Sequence, residues 1–342
     1  MRNKRRVAKR LIQGLAGQDF SGQDWRGANL SNTDLTRSLF IESNLSEANL
    51  SESLLTEVLF NKADMTEARL HKVIGVKTQF YNTILLRASI QEAALTDSDM
   101  SFVQGHGLRA TQANLSGSDF SFATFSFSNF REAILSASMM DSTVFRSADF
   151  EGALLDRVTG NDIIFESASM LKANLSFCNI TRLIANQADM TDAVFSKGSL
   201  KQSSFKEARL ANTNFRECVV SESSFKYSKF RSSTFYGAEG ISCDFEQSEG
   251  TGSSFDESVF DKSSFRYAFL KGASFKRASL KEVDFTEVNL LNVDFTEADL
   301  RGANLTNSYI TTAIFKDTII NHATQLPAFM RPEQQAGLIF KN

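Results

Sequence analysis

The chain has 342 residues and a formal net charge of −3, from 37 Lys and Arg against 40 Asp and Glu. This near balance marks neither a nucleic-acid-binding protein nor a strongly acidic one. The sequence has no apolar run long enough to span a bilayer and no secretory signal with an apolar core. We therefore expect a cytoplasmic protein, although export by a signal-independent route would leave no mark in the sequence.

Residues 1–17 are basic and amphipathic. Six of the first ten residues are Lys or Arg, and Val7, Leu11, Ile12 and Leu15 fall on one helical face. We expect a short N-terminal capping helix here, because the first unit of a repeat array exposes an edge that must be covered. A basic patch for an acidic lipid surface or a nucleic acid is a second interpretation, compatible with the first.

Residues 18–320 repeat every five residues without an insertion or deletion. The multiples of five from Phe20 to Ile320, which we call central positions, are Leu, Phe, Met, Ile, Val or Trp, and the residue two before each is usually small. The exceptions at the central positions are Gly75, Gly105, Ala110, Gly160, Ala185, Gly240 and Gly250. A period of five fits neither an amphipathic helix nor a flat strand, and a fixed internal repeat indicates a solenoid.

The repeated units carry a family signature. Ala28-Asn29-Leu30, Ala48-Asn49-Leu50 and Ala298-Asp299-Leu300 resemble the A(D/N)LXX units of the pentapeptide-repeat family. The resemblance implies an all-β fold, a right-handed quadrilateral β-helix with four pentapeptides in each square coil. Over this length we expect about 15 coils of 20 residues, between the short N-terminal capping helix and a short C-terminal cap.

Residues 20 apart support this coil length independently of the family. One column of central positions is all Leu and then all Phe, and a neighbouring column is also Phe: Leu95, Leu115, Leu135, Leu155, Leu175, Phe195, Phe215, Phe235, Phe255, Phe275, Phe295 and Phe315, beside Phe205, Phe225, Phe245, Phe265 and Phe285. Paired strands lie about 4.8 Å apart, which suits stacked aromatic rings. We therefore expect ladders of phenylalanine along the core.

Charged residues in the second half form alternating acidic and basic bands. Shifted by 20 residues, opposite charges meet: Lys226–Glu246–Arg266, Lys229–Glu249, Asp256–Lys276, Glu257–Arg277–Glu297, Asp261–Lys281 and Lys262–Glu282. Opposite charges on neighbouring strands stabilise a sheet. We interpret these residues as ion-pair ladders between coils.

Two stretches of the repeat are candidate partner-binding sites. Residues 101–110 fit the repeat worst, and we expect a local bulge or loop of unchanged length that exposes Gly105, His106 and Gly107. Glu42, Glu47, Glu52 and Glu57 would place one carboxylate on each of four successive faces. The alternative interpretations are that His106 is an ordinary loop histidine and that the four glutamates belong to a solvated coil. The weaker defects at Gly75, Gly160, Ala185 and Gly240 are either kinks that relieve strain or docking points.

Residues 321–342 leave the five-residue register and are expected to form the C-terminal cap. Pro332 followed by Gly337 predicts a short helix with proline at its start and glycine after its end. Apolar residues would cover the last coil, namely Leu326, Phe329, Met330, Leu338, Ile339 and Phe340. Any surface left uncovered, around Phe329 and Met330, is a candidate contact for a homodimer.

No pattern in the sequence predicts an enzyme. The chain has no nucleophile elbow, phosphate-binding glycine loop or His-Glu-x-x-His pair, and His71, His106 and His322 are far apart. Cys178, Cys218 and Cys243 stand where Ala or Ser usually stands, which indicates small buried residues rather than zinc ligands. We expect no catalytic residue, no metal site and no cofactor.

Two hypotheses for function remain. The first is a non-enzymatic scaffold or adaptor for protein partners, with a bacterial effector as a variant. The second follows from the family resemblance, since gyrase-binding members resemble duplex DNA in size, shape and negative charge and bind type II topoisomerases. This chain differs from them because its charge comes in alternating bands, whereas a DNA mimic needs sustained acidity to replace phosphates. Direct readout of nucleic acid is not expected in either case.

Overall fold

The computed structural model describes residues 14–341, which belong to two compact units, Met1–Ala173 and Asn174–Asn342. Each unit is a β-solenoid, and the chain has about 13 turns in all, fewer than the 15 expected. Within each unit, residues 20 apart pair in parallel, as in Asn29 with Asn49 and Ser254 with Ser274. The predicted capping helix falls mostly on residues 1–13, which lie outside the described residues.

Most of the pairing is through single bridges, because a corner interrupts the chain every five residues. The longer elements are β1 Ile74–Val76, β2 Ala94–Thr96, β3 Thr159–Asn161, β4 Asn179–Thr181, β5 Ser199–Lys201, β6 Thr318–Ile320, α1 Pro332–Ala336 and β7 Leu338–Phe340. β1 pairs with β2, β4 with β5 and β6 with β7, all in parallel. Four corners in each 20-residue turn give the solenoid four sides.

Each corner is a β-turn with a left-handed residue at its third position. At Leu45, for example, the Ala48 N–H donates to the Leu45 carbonyl at 3.0 Å, and Glu47 between them has φ 59°. A positive φ at this position is the mark of a type II turn. The Leu45 and Glu47 N–H groups donate to carbonyls of the next turn at 2.7 and 2.8 Å. The corner residue therefore points outward while its backbone remains paired.

The core is built from two positions of every pentapeptide. In most pentapeptides the central residue and the residue two before it are buried, and the other three positions are partly or fully exposed. Where the smaller position is Ser or Thr, its hydroxyl usually donates to a backbone carbonyl. The acceptor lies in the preceding turn for Thr83, which donates to Phe60 at 2.7 Å, and in the same turn for Ser43, which donates to Phe40 at 2.7 Å. The Cys243 thiol makes the equivalent contact with the Val220 carbonyl at 3.0 Å. The core thus accepts small polar groups because most of them have a partner, although the Ser98 hydroxyl has none among the described residues.

The predicted phenylalanine ladders are confirmed in the second unit. Along the column from Phe195 to Phe315, consecutive ring centroids lie 4.7–5.4 Å apart with nearly parallel planes. Along the column from Phe205 to Phe285 the spacing is 4.6–5.2 Å. The two columns meet edge to face, as in Phe215 and Phe225 at 5.9 Å. Both are arrangements that aromatic pairs favour.

The bulge expected in residues 101–110 is absent, so that prediction was wrong. Gln104 bridges Thr124 and the five-residue pattern continues unbroken. Gly105 is buried, and a Cβ on it would overlap the ring of Phe125 from the next turn. The larger side chain of the neighbouring turn fills the space that glycine leaves, so the backbone has no reason to bulge.

The other exceptions at central positions also keep the register. The ring of Phe260 fills the space that a side chain at Gly240 would occupy, and the ring of Phe230 fills the corresponding space at Gly250. Gly75 and Gly160 lie inside β1 and β3, in contact with neighbouring side chains and backbone. Ala185 is buried, and the Ile184 bridge beside it is regular. These positions are therefore structural adaptations of the core and not kinks.

The last turn differs from the prediction in how it is covered. Helix α1 is present, with Pro332 in its first turn and Gly337 after its end. However, Phe329 is 91% exposed, and Ile339 and Phe340 are also exposed. The buried side chain is Gln334, whose amide nitrogen donates to the carbonyls of Ile310 at 2.7 Å and Ala313 at 2.9 Å. The buried contact of this helix with the solenoid is therefore the polar Gln334 and not Phe329, while Leu326, Met330 and Leu338 are half-buried.

Candidate functional site

The four predicted glutamates occupy four successive left-handed corners, with φ between 56° and 62°. Three of them pair with a base of a neighbouring turn: Glu42 with Lys62 at 3.1 Å, Glu47 with Arg26 at 2.6 Å and Glu57 with Arg37 at 2.7 Å. Glu52 makes no ion pair with another described residue. Most of the negative charge on this turn is therefore balanced locally, and its role in partner binding stays a prediction.

The predicted site around His106 divides between core and surface. Gly105 belongs to the core, Gly107 is a corner with φ 68°, and His106 is exposed. The imidazole lies against the ring of Phe127, with the centroids 5.2 Å apart. His106 is thus part of a larger aromatic surface, which the sequence analysis did not identify.

That surface, which we call the aromatic face, consists of two ring groups at neighbouring corners: Tyr81, Phe102 and Phe122 in one, and His106 and Phe127 in the other. Phe102 and Phe122 stack at 5.0 Å, and the Tyr81 ring meets Phe102 edge-on at 5.5 Å. Phe102, Phe122 and Phe127 are 44, 53 and 64% exposed. Each of the three is a corner residue, a position that is polar in most other turns. Large aromatic residues at corner positions were the sequence signal that could have revealed this surface.

The two stretches at the centre of the aromatic face carry no charged side chain. Residues 101–107 and 121–127 contain no Asp, Glu, Lys or Arg. At its margins, Arg87 pairs with Glu67 and Arg146 with Glu166, each at 2.8 Å. The face is therefore apolar and electrically neutral, in a protein whose surface is otherwise rich in charge.

The C-terminal end offers a second apolar surface. Phe329 projects into solvent beside a cleft of about 320 Å³ lined by Leu326, Pro327, Ala328, Met330, Gln335, Leu338 and Phe340. Phe329 and Met330, predicted as partner-binding residues, thus lie close together on this end. Of the apolar residues expected to cover the last turn, Phe329, Ile339 and Phe340 are exposed and remain available for contact.

The charge ladders of the second unit follow the prediction in part. Lys226 pairs with Glu246 at 2.7 Å, Lys229 with Glu249 at 3.4 Å, Arg277 with Glu257 at 2.6 Å and Lys281 with Asp261 at 3.8 Å. Hydrogen bonds to Glu246 and Asp244 raise the pKa of Lys226 to about 12. These pairs neutralise acidic side chains one turn at a time.

Other predicted pairs are replaced by diagonal ones. Lys276 reaches Asp294 at 3.2 Å rather than Asp256, and Arg266 reaches Asp284 at 3.8 Å rather than Glu246. No ion pair joins Lys262 to Glu282. A 20-residue shift identifies which turns face each other, but a long side chain can reach to either side of the residue directly opposite.

The three cysteines are buried and unpaired. Burial raises the pKa of Cys178 and of Cys243 to about 12 and that of Cys218 well above its ordinary value. The thiols are therefore protonated at neutral pH, which makes them poor nucleophiles and poor metal ligands. Within residues 14–341 no group of three or more His, Cys, Asp or Glu side chains could hold a metal ion. The same residues contain no helix of the length and apolarity that crossing a membrane requires.

The sequence profile of pentapeptide repeats matches this chain in eight copies. The matched residues include 19–51, 43–74, 106–136, 173–210, 203–239, 241–280 and 278–317. They make up more than half of the chain. No curated protein sequence matches it.

Solved structures with a similar fold include other pentapeptide repeat proteins. HetL from the cyanobacterium Nostoc sp. strain PCC 7120, involved in heterocyst differentiation regulation, is 20% identical; the match covers 68% of this chain and 90% of HetL, with a TM-score of 0.27. Rfr23 from Cyanothece 51142 is 18% identical over 29% of this chain and 63% of Rfr23, with a TM-score of 0.26. Full-length QnrB1, a plasmid-mediated fluoroquinolone resistance protein, is 11% identical over 84% of this chain and 92% of QnrB1, with a TM-score of 0.19. Likenesses this distant carry no argument about partners.

Proposed function

Because the chain belongs to the pentapeptide repeat family, whose members are generally structural or interaction proteins without catalytic activity, we propose that it is a protein-binding scaffold. The observation that carries this proposal is the aromatic face. Exposed Phe102, Phe122 and Phe127 contribute nothing to the core, and water-exposed aromatic side chains that cluster in this way mark interaction sites.

The neutrality of the aromatic face indicates the chemistry of its partner. A nucleic acid or an anionic membrane would require a basic surface, and the basic side chains at the margins are already paired with acids. An uncharged, apolar patch on another protein fits the face best, because burying it costs no unpaired charge. Gln104 and Thr124, exposed between the rings, can supply hydrogen bonds to that partner.

The size of the face sets its role in the contact. At about 200 Å² for a whole aromatic side chain, the three half-exposed phenylalanines present roughly 300 Å² of apolar surface. A stable interface buries about 800 Å² on each partner. The aromatic face is therefore the centre of a larger interface, where aromatic anchors contribute most of the binding energy and a polar rim excludes water.

Site-specific crosslinking tests this proposal. A photoreactive phenylalanine analogue replaces Phe122 in the native cell, and the same analogue replaces Phe177, an exposed corner aromatic of the second unit, as the control. We expect a discrete protein adduct from position 122 and not from position 177. With that protein purified, Phe122→Ser should weaken binding at least tenfold, about 1.4 kcal/mol, while Phe177→Ser leaves it unchanged. Equal adducts from both positions, or equal affinity of both variants, would contradict the proposal.

The DNA-mimic hypothesis is the alternative, and the ion pairs weigh against it. Duplex DNA carries one negative charge for about every 1.7 Å of its axis, whereas here acidic side chains such as Glu246 and Glu257 are paired with bases. Supercoiling by purified gyrase, titrated with the protein in the presence and absence of a quinolone, separates the two functions. The scaffold proposal predicts no effect even at large excess. Inhibition or protection at stoichiometric protein would favour the alternative.

A further inference from the structure

A cleft of about 510 Å³ on the surface of the second unit is lined by Tyr267, Glu287, Asn307 and Tyr309. We call it the tyrosine cleft. Tyr267, Glu287 and Asn307 follow one another at 20-residue steps on left-handed corners, with φ 59°, 57° and 60°. Their side chains therefore project outward from three successive turns along a single edge.

The neighbouring column repeats this alternation of ring and polar group. Phe269 bridges Asn289, and Asn289 bridges Tyr309. Both aromatic residues are exposed, Tyr309 by 65%. The first of the three turns thus carries Tyr267 and Phe269, the second carries no ring, and the third carries Tyr309.

The spacing of the turns sets the width of the cleft. Strands pair at about 4.8 Å, so the rings of the first and third turns are separated by roughly 9–10 Å at the backbone. A cation interacts with an aromatic ring when it lies within about 6 Å of the centroid. A compact cationic group placed over the second turn is therefore within reach of rings on both sides.

The side chain at the centre of the cleft is a carboxylate without a partner. Within residues 14–341, Glu287 makes neither an ion pair nor a side-chain hydrogen bond, unlike Glu246 and Glu257 in the same unit. Its neighbours along the edge are Tyr267 and Asn307, and neither is basic. An unpaired negative charge between aromatic rings attracts cations and repels anions.

Arg266 is the basic side chain in contact with Tyr267. Its guanidinium lies 5.4 Å from the Tyr267 ring centroid and donates to the phenol oxygen at 3.3 Å. It also pairs with Asp284 at 3.8 Å. The ring thus already accepts a cation within the protein, while the charge of Glu287 is left unbalanced.

We propose that the tyrosine cleft binds an alkylammonium cation, with a trimethylammonium group as the best-fitting form. The tyrosine rings supply cation–π attraction, Glu287 supplies the opposite charge, and the Asn307 amide orients polar atoms attached to the ligand. Such a group is compact and weakly hydrated, and aromatic cages are the usual protein site for it. This site is independent of the proposed scaffold role, since it lies in the other unit from the aromatic face.

Titration with choline tests the proposal directly. Binding is followed through the ring resonances of ¹³C-labelled tyrosine, and 3,3-dimethylbutan-1-ol serves as the uncharged isostere of choline. A second series with N-acetyl-trimethyllysine amide distinguishes a free small molecule from a protein side chain as the source of the cation. We expect the Tyr267 and Tyr309 resonances to shift with choline, and the isostere to bind at least about tenfold more weakly, since it keeps the shape but not the charge.

Variants identify the residues responsible. Glu287→Gln and Tyr309→Ala should each weaken choline binding by about tenfold. Glu282→Gln, at a left-handed corner of the same turn, and Tyr227→Ala, an exposed corner tyrosine elsewhere in the unit, should bind like the unmodified protein. Unchanged thermal unfolding of all four variants shows that folding is intact. Absence of choline binding, equal binding of the isostere, or unchanged affinity in Glu287→Gln would each overturn the proposal.

Discussion

The ring of Phe260 fills the space that a side chain at Gly240 would occupy one turn earlier in the solenoid. The same relationship joins Gly105 to Phe125, and Gly250 is filled from the preceding turn by Phe230. A missing side chain in one turn is thus matched by a large one in an adjacent turn. A glycine that breaks the repeat in the sequence therefore packs together with a phenylalanine of the adjacent turn, and the two residues share the space of one large side chain.

Gly240→Ala tests this coupling. The added Cβ would overlap the Phe260 ring, and overpacking of a core costs roughly 1–3 kcal/mol of unfolding free energy. Phe260→Leu makes room, so the double variant should lose less stability than the sum of the two single losses. Chemical denaturation of the four proteins measures this difference, and strict additivity would show that the two residues do not share one space.

Reversing one rung of the charge ladder tests the ion pairs. Lys229 and Glu249 lie 3.4 Å apart and are largely exposed, so Lys229→Glu should lower the melting temperature slightly, by less than about 1 kcal/mol in stability. Adding Glu249→Lys restores an opposite pair and should recover the loss. The effect should shrink in 1 M salt, where the screening length is about 3 Å. A double variant no more stable than the single one would show that this rung does not stabilise the fold.

The repeat allowed the fold to be predicted because each side-chain environment depends on position modulo five and on the residue 20 away. Phe215 and Phe235 stack at 4.8 Å as the column of phenylalanines required. The bulge at Gly105 was wrongly predicted because the space beside a glycine depends on the residue one turn later, which here is Phe125. Exposed Phe102 and Phe122 were not predicted, because the rule for the core concerns central positions and says nothing about corners.

The cap at the C-terminal end was harder to predict for a different reason. Outside the repeat, no periodicity indicates which side chain is buried. The general tendency of apolar residues to be buried favoured Phe329 over Gln334 as the residue that packs against the last turn. The Ala313 carbonyl needs a hydrogen-bond donor, which Gln334 supplies while adding a second donor to the Ile310 carbonyl. Likewise, no sequence rule indicated that Tyr309 would line a cleft with Glu287, since their numbers are not a multiple of 20 apart.

Gln334→Ala should loosen the last turn. Its loss leaves the Ala313 carbonyl without its donor and the Ile310 carbonyl with only the Ala313 N–H, at 2.8 Å, which costs about 1–3 kcal/mol. We expect faster amide hydrogen exchange at residues 310–320 and unchanged exchange in the first unit. Gln335→Ala is the matched control, because that neighbouring side chain is exposed. Equal protection in both variants would mean that Gln334 does not anchor the helix.

The buried thiols predict a specific loss of stability in alkali. Burial raises the pKa of Cys243 from 9.0 to about 12, so the folded state holds the proton more tightly than the unfolded state. The stabilisation that comes from this raised pKa is fully present below pH 9. It is lost between pH 9 and about 12, at up to 1.4 kcal/mol of unfolding free energy per pH unit. The stability advantage of the native protein over Cys243→Ala should therefore decrease as pH rises above 9. A difference that stays constant from pH 8 to 11 would contradict this pKa.

Phe329 provides the test of self-association through the C-terminal end. The side chain is 91% exposed beside the apolar cleft that includes Met330 and Phe340, and burying it in a second copy would remove that surface from water. We expect sedimentation equilibrium to show a reversible dimer that Phe329→Ser shifts toward monomer by at least tenfold in dissociation constant, about 1.4 kcal/mol. Tyr309→Ser, which removes another exposed aromatic residue of the same unit, should leave the equilibrium unchanged. A protein that is monomeric at all concentrations, or a dimer insensitive to Phe329→Ser, would exclude this end as the contact.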